Sequence, residues 1–136
     1  TNYVTPSEMY TAEITNAIKT YGPSDGTSKI GLMYVSDYGF AASPSAWTTT
    51  LYKYGGNDVN GTSIKTINWM YMGNNEWTMT HNSSYGNGVF GLNNDGIVYF
   101  SYADYGFGSR PVLYLKASVL YAGGSGTKDS PITLVV

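Results

Sequence analysis

The sequence contains no cysteine and a single histidine, His81. The absence of cysteine excludes disulfide bonds, zinc sites built on thiolates and cysteine nucleophiles. Charged residues make up 12% of the chain, about half of the roughly 25% found in typical soluble domains. The seven lysines and arginines are scattered singly, and the formal net charge is −2. The chain therefore offers no basic surface that could track phosphates, and we expect no nucleic-acid partner.

Long apolar runs are also absent. No stretch approaches the ~20 residues that a helix needs to cross a bilayer, and no signal peptide is recognisable. We therefore expect a membrane connection only through an N-terminal anchor that would precede Thr1 in a longer protein.

Tyrosine and glycine are abundant, with 14 and 17 copies among 136 residues. Many aromatic residues and glycines with few charges favour a turn-rich fold built on β-strands over a helical bundle. The length suits one domain with a real core, so residues 1–136 are interpreted as a single domain.

The first elements predicted are helical. Residues 5–21 begin with Thr5 as N-cap, Pro6 at the first helical position and Glu8 completing a capping box, and an N-terminal helix is therefore expected within 1–22. Its predicted apolar stripe comprises Tyr10, Ile14, Ala17, Ile18 and Tyr21. A second, shorter helix is predicted to begin at Ser43-Pro44, to carry Trp47 and Leu51, and to end near Gly55.

The rest of the chain predicts sheet. Asn93-Asn94-Asp95-Gly96 between two apolar runs is a strong hairpin signal, because these residue types tolerate positive φ. Glycines at 123–126 predict another tight turn. The strands are predicted at 30–35, 76–80, 89–92, 97–100, 111–115 and 132–136. The predicted class is α+β, with one or two helices packed on a small, mostly antiparallel sheet with long loops.

The sequence gives little support for catalysis. His81 has no G-x-S-x-G elbow to accompany it, and Glu76, Asp95 and Asp104 are more simply interpreted as turn residues and one structural ion pair. The oxygen-rich segments 57–61 and 93–96 do not fit the twelve-residue calcium loop and are typical of turns. We therefore predict no enzyme, no catalytic residue, no cofactor and no metal ligand.

The stretch 82–106 has a composition of its own. It consists of Asn, Ser, Tyr, Gly and Asp with a few apolar residues, and it lacks Lys, Arg, Glu, Gln, Met and Trp. Antibody binding loops have a similar amino-acid composition, because Tyr gives contact area at low entropic cost while Ser, Gly and Asn adapt their hydrogen bonds. The predicted ligand contacts are Asn82, Ser84, Tyr85, Asn87, Asn93, Asn94, Tyr99, Tyr102, Asp104 and Tyr105.

The flanks of this stretch are predicted to hold the scaffold. Trp69 and Trp77 precede it and are expected in the core, although exposed Trp rings could instead stack on sugars. Arg110 and Pro111 follow it. The single arginine is interpreted as a buried residue whose guanidinium links loops by hydrogen bonds to a carboxylate or to backbone carbonyls. The alternative interpretation is a charged anchor for a ligand.

Several segments, in their order along the chain, resemble one group of proteins. They are KIGLMYVSDYGF at 29–40, a helix containing Trp47, Asn68-Trp69, Glu76-Trp77-Thr78, the hairpin region, Ser109-Arg110-Pro111-Val112 and GSGTKDSP at 124–131. This group is a C-terminal domain of bacterial and phage surface proteins, found in gut Gram-positive bacteria and often behind a pilin-type segment. It is similar to the variable proteins of diversity-generating retroelements, and the resemblance covers about residues 29–134.

The resemblance implies a C-type-lectin-like fold of the sulfatase-modifying-factor type. It also implies a ligand-binding face drawn from residues 82–105, which vary while the scaffold stays fixed. All of 82–106 belong to the residue types reached when template adenines of Asn codons are miscopied. The calcium-and-sugar tripeptides of true C-type lectins, Glu-Pro-Asn and Gln-Pro-Asp, are absent, so sugar recognition is not implied.

Three functions are compatible with the sequence, in order of preference. The first is an extracellular, cell-surface or virion receptor or adhesin domain that displays residues 82–106 to an unknown protein or glycan. The second is a pilin-like or adhesin head whose tyrosines pack neighbouring subunits. The third is a hydrolase that depends on His81 or Glu76.

Overall fold

A computed structural model of the chain describes residues 3–15, 30–55, 59, 61–82 and 84–136. Three short helices and two small antiparallel sheets occur in this part of the chain, so the predicted α+β class is confirmed. The helices are α1 (Pro6–Tyr10), α2 (Val35–Phe40) and α3 (Ile64–Ile67). The strands are β1 (Glu76–His81), β2 (Gly88–Leu92), β3 (Val98–Tyr102), β4 (Leu120–Gly123) and β5 (Thr133–Val135).

Helix α1 begins as the sequence predicts. The Glu8 carboxylate accepts from the Thr5 backbone N–H at 2.8 Å, and the Thr5 hydroxyl accepts from the Glu8 N–H at 3.4 Å. The hydrogen bonds that the Thr5 backbone N–H and hydroxyl donate to the Glu8 carboxylate hold the pKa of Glu8 below its usual range. The helix continues as a π-helical turn over Thr11–Thr15, and residues 16–21 of the predicted helix lie outside the described part.

The predicted apolar stripe of α1 is wrong where the structure describes it. Tyr10 and Ile14 are exposed, whereas Pro6 and Met9 are buried. The reason is the approach of α2, since a Cβ on Gly39 would lie only 2.8 Å from the Pro6 ring. Because Gly39 has no side chain, the first turn of α1 can pack closely against α2. Ala17, Ile18 and Tyr21 lie outside the described residues.

The strand predicted at 30–35 is also wrong. Only Gly31 pairs, through a single bridge to Val112, and the chain then turns into α2. Helix α2 begins there because carboxylates satisfy its first N–H groups. Asp37 accepts from the Tyr34 N–H at 2.9 Å, and Glu13 accepts from the N–H groups of Val35 and Ser36 at 3.0 and 3.2 Å. The strand predicted at 111–115 likewise reduces to the Val112 bridge.

The second predicted helix is replaced by two 3₁₀ turns, Pro44–Ala46 and Leu51–Tyr54. Three consecutive threonines separate them, and β-branched residues disfavour helix because their χ1 freedom is lost. Helix α3 was not predicted. It is a single turn that begins at Ser63, whose hydroxyl accepts from the Lys65 N–H at 3.3 Å.

The three-stranded sheet confirms the hairpin prediction. Its order is β1-β2-β3, and β2 pairs with β3 from Gly88↔Tyr102 to Leu92↔Val98. Gly96 closes the turn with φ of 96°, a conformation that favours glycine. The register of β1 against β2 shifts between Trp77 and His81.

The core lies between the three-stranded sheet and the helical segments. Two buried tyrosines bond inside it, since the Tyr38 hydroxyl donates to the Gly96 carbonyl at 3.1 Å and the Tyr54 hydroxyl donates to that of Gly39 at 3.1 Å. Burial raises the pKa of both tyrosines. Other buried apolar side chains include Met9, Met33, Val35, Leu51, Val59, Ile64, Met70, Phe90, Leu92 and Val98.

Strands β4 and β5 form a separate two-stranded sheet, which confirms the predicted closing strand. The glycine turn before β5 is confirmed as well. Gly124 has φ of 93°, and a Cβ there would lie 1.9 Å from the Pro131 carbonyl oxygen. The apolar side chains of this hairpin, including Leu120, Tyr121 and Leu134, are exposed.

Candidate functional site

The hairpin gathers part of the predicted display set at one end of the three-stranded sheet. The β1–β2 connection lies beside the end of β3, because the Ala103 N–H donates to the Asn87 carbonyl at 3.2 Å. The Tyr85 ring stacks on the Phe100 ring with centroids 5.1 Å apart and planes within 10°. We call this surface the tyrosine end. Its exposed members are Ser84, Tyr85, Asn87, Phe100, Tyr102 and Asp104.

Asn82 belongs to the supporting structure of this end. It is 6% exposed, its side-chain oxygen accepts from the Ser84 N–H at 3.0 Å, and its carbonyl accepts from the Tyr85 N–H at 3.1 Å. A buried amide that shapes the turn cannot face a ligand, so the placement of Asn82 among the displayed residues is corrected. Gly88 completes the turn, and a Cβ there would lie 3.1 Å from that of Tyr85.

Asn93 and Asn94 lie at the opposite end of the hairpin. The five residues of β2 separate the two ends, by about 14 Å at ~3.4 Å per residue. The Asn93 side chain accepts from the N–H groups of Asp95 and Ile97, both at 3.1 Å. Asn94 is held through its backbone by Asn75 and Tyr71. Asn93 and Asn94 are therefore separated from the predicted contacts at the tyrosine end.

Tyr99 and Tyr105 contribute to the other face of the sheet. Both rings lie near Phe107, at 5.9 and 6.4 Å between centroids, and Phe107 stacks on Trp77 at 4.4 Å. The Phe107 ring packs on the sheet at Gly91, which has no side chain. A Cβ at Gly91 would lie 3.3 Å from this ring. Burial raises the pKa of Tyr99. Phe100 and Phe107 were not predicted, although their alternation with the tyrosines was a usable signal.

Arg110 has the geometry expected of a structural arginine. Its Nη2 donates to the Glu76 carboxylate at 2.6 Å and to the Met70 carbonyl at 2.9 Å. The Arg110 and Glu76 side chains are 26% and 8% exposed. This ion pair ties β1 to two loops, and it neutralises the arginine charge. Pro111, beside it, is exposed.

The prediction that Trp69 lies in the core is wrong, because its side chain is 79% exposed. Its neighbours Asn68 and Met70 are buried instead. The Asn68 amide donates to the Tyr38 carbonyl at 2.8 Å and accepts from the Met70 N–H at 2.9 Å. Anchoring on both sides turns the indole of Trp69 outward.

Trp69 forms one wall of a cavity of about 870 Å³ that the sequence did not predict. Tyr10, Phe40 and Tyr114 also line it, and Met33 and Met70 are among its buried residues. Asp37 and Arg110 supply its charged groups. The segments that meet here are far apart in the sequence, so only the apolar run after Arg110 could have pointed to it.

Carboxylates dominate the electrostatics beside this cavity. The Tyr114 hydroxyl donates to Asp37 Oδ2 at 2.6 Å, and partial burial of the hydroxyl, followed by the Asp37 bond and charge, raises the pKa of Tyr114. Burial also raises the pKa of Glu13, against opposing hydrogen bonds from Ser36, Thr80 and Val35. The Asp37 carboxylate therefore lies at the cavity, and the Glu13 carboxylate lies beside the start of α2.

The residues named for a hydrolase are not brought together. Glu76 and His81 stand at the two ends of β1, about 17 Å apart at ~3.3 Å per residue, and Glu76 is already paired with Arg110. Within the described residues, no group of three or more His, Asp or Glu side chains could hold a metal ion. Nor does the described part of the chain contain a helix that is long and apolar enough to cross a membrane.

Comparison with known proteins adds no assignment, because no family model, curated protein or solved structure matches the chain.

Proposed function

We propose that this chain is an extracellular ligand-binding domain, of receptor or adhesin type, that contacts its partner through the tyrosine end. The partner is a protein or glycan of a cell surface, and the α+β fold belongs to the C-type-lectin-like class. The resemblance of segments in 29–134 supports this proposal. The observation that carries it is the exposed, stacked pair of Tyr85 and Phe100 surrounded by polar side chains.

Exposed aromatic rings of this kind suit recognition. Tyr and Trp are enriched where binding energy is concentrated at interfaces, and tyrosine loses little conformational entropy on binding. Among the described residues, the hydroxyls of Tyr85 and Tyr102 make no hydrogen bond, so they are available to a partner. Backbone bonds hold the strand ends beneath them, which limits the cost of ordering the surface.

Binding to arrayed glycans and to fixed bacterial cells tests the proposal. We expect Tyr102→Ala to weaken retention of the labelled domain by about tenfold or more, the loss typical of a principal contact. Tyr52→Ala is the matched control, because Tyr52 and Tyr102 are 44% and 42% exposed and Tyr52 lies outside the tyrosine end. Equal effects of the two substitutions, or unfolding of the Tyr102 variant, would refute the display function.

Residue variation at the locus gives an independent test. If the domain is diversified, natural copies will differ at codons for the tyrosine end while Trp77 and Arg110 stay fixed. Equal variation in this stretch and its flanks would contradict diversification and leave a fixed adhesin.

A second function, self-association as a pilin-like or adhesin head, is favoured by one observation. Strands β4 and β5 expose apolar side chains, among them Leu120, Tyr121 and Leu134, and an isolated two-stranded hairpin is marginally stable in water. Sedimentation velocity over a dilution series tests this function. A monomer at every concentration would exclude it for this chain.

A further inference from the structure

The cavity beside α2 combines aromatic walls with a polar edge. The rings of Trp69 and Tyr114 are largely exposed at its mouth, and those of Tyr10 and Phe40 meet edge-on with centroids 6.3 Å apart. Its volume of about 870 Å³ falls within the roughly 300–1,000 Å³ of small-molecule sites. The cavity is separate from the tyrosine end, since the two share no residue.

The charged groups at the cavity are not equivalent. Arg110 is neutralised by Glu76 at 2.6 Å, so it contributes little net charge. Asp37 has no such partner, because no lysine or arginine among the described residues forms an ion pair with it. The hydrogen bonds to Asp37 come from the Tyr34 N–H and the Tyr114 hydroxyl, which are neutral donors. Among the described residues, the net charge that faces the cavity is therefore negative.

The two oxygens of the Asp37 carboxylate have different partners among the described residues. Both of its hydrogen bonds end on Oδ2, and no described residue donates to Oδ1. Glu13, which accepts from the N–H groups of Val35 and Ser36, adds a second carboxylate close by. An anion would be repelled here, and a neutral apolar molecule would strip water from Asp37 without replacing its interactions.

An organic cation satisfies all of these features. Aromatic faces attract cations through the ring quadrupole, and quaternary ammonium groups are recognised by aromatic cages in this way. We propose that this cavity binds a small alkylammonium molecule, whose cationic head lies against the rings of Trp69 and Tyr114 and beside Asp37 Oδ1. The aromatic walls hold the alkyl groups, and the carboxylate selects for charge.

Choline is the first probe, and its neutral isostere 3,3-dimethylbutan-1-ol is the matched control. Titration of the ¹⁵N-labelled chain is followed through its three tryptophan indole N–H signals. We expect choline to shift the Trp69 signal saturably and the Trp77 signal little, since Trp77 packs on Phe107 outside the cavity. The isostere should bind at least tenfold more weakly.

Two variants test the named groups. Trp69→Ala should weaken choline binding by about 2- to 30-fold, the range of one cation–π contact, and its high exposure protects the fold. Asp37→Asn can still accept from the Tyr34 N–H while losing the charge, and it should weaken choline binding with little effect on the isostere. Tyr102→Ala, at the tyrosine end, should leave choline binding unchanged.

Several results would overturn the proposal. They are equal binding of choline and the isostere, the absence of saturation with choline, and undiminished choline binding by Trp69→Ala. Retention on phosphatidylcholine vesicles without binding of free choline would overturn the assignment to a small molecule. Failure of these tests would not affect the proposed function, because glycan and cell binding is measured through Tyr102.

Discussion

Removal of Arg110 is the sharpest test of how the fold is held together. Its guanidinium joins the Glu76 carboxylate at 2.6 Å and the Met70 carbonyl at 2.9 Å. The Arg110→Ala variant leaves a carboxylate that is 8% exposed without its cation. Breaking one side of a buried ion pair costs about 3–5 kcal/mol.

The expected loss for Arg110 lies below the upper end of that range. The arginine side chain is 26% exposed, so water can enter the vacated space and screen Glu76. We therefore expect the free energy of unfolding to fall by about 2–4 kcal/mol. With a urea m-value of about 2 kcal/mol/M, the middle of the usual range for small proteins, the unfolding midpoint should fall by about 1–2 M.

Urea unfolding followed by circular dichroism measures this loss, and the double variant Glu76→Met/Arg110→Met is the control. Replacing both charges by apolar groups removes the unpaired carboxylate, so the double variant should be more stable than Arg110→Ala. A loss below about 1 kcal/mol in Arg110→Ala, the scale of an exposed pair, would refute the argument that this pair is a structural tie.

Three further perturbations test other parts of the structure. Gly39→Ala should cost about 1–3 kcal/mol of unfolding free energy in thermal or urea unfolding, because the new Cβ would lie 2.8 Å from the Pro6 ring; an unchanged midpoint would contradict this contact. Burial raises the pKa of Glu13 above its ordinary 4.5, so the folded state binds more protons and stability should fall as pH rises from about 4.5 through the raised pKa. Glu13→Gln should remove that part of the pH dependence, and identical pH profiles would contradict it. Asn82→Ala should cost about 1 kcal/mol and Asn87→Ala less than about 0.5 kcal/mol, because only Asn82 is buried; equal losses would contradict the division between support and display.

Features that depend on neighbouring residues could be predicted from the sequence. The capping box of Thr5 and Glu8 and the turn at 93–96 each span four consecutive residues. Local conformational propensity is therefore sufficient to predict both. The segment 30–35 could not be predicted in this way. Met33 and Val35 are buried as expected, whereas Ile30 is exposed. Helix α2 begins there because Glu13 accepts the Val35 N–H across 22 positions of sequence.

The candidate sites show the same limit. Composition identified the stretch that contains the tyrosine end, but it could not tell the buried Asn82 from the exposed Asn87. That distinction depends on which amide fills the turn beneath Tyr85. The cavity was missed because its walls come from segments that only the fold brings together, and because a tryptophan such as Trp69 is expected inside a core.

The two proposed surfaces depend on the scaffold in different ways. At the tyrosine end, backbone bonds such as the Ala103 N–H to the Asn87 carbonyl fix the chain, so an exposed side chain outside the Tyr85–Phe100 stack, such as that of Tyr102, can change without removing that stack. The cavity uses side chains that also hold the fold, since Asp37 accepts from Tyr34 at the start of α2 and Arg110 pairs with Glu76. A substitution at the tyrosine end can therefore alter recognition alone, whereas one at Asp37 or Arg110 alters stability as well. If both proposals hold, proteins that keep this scaffold will share the alkylammonium site. The partner bound at the tyrosine end will instead differ from one copy of the domain to the next.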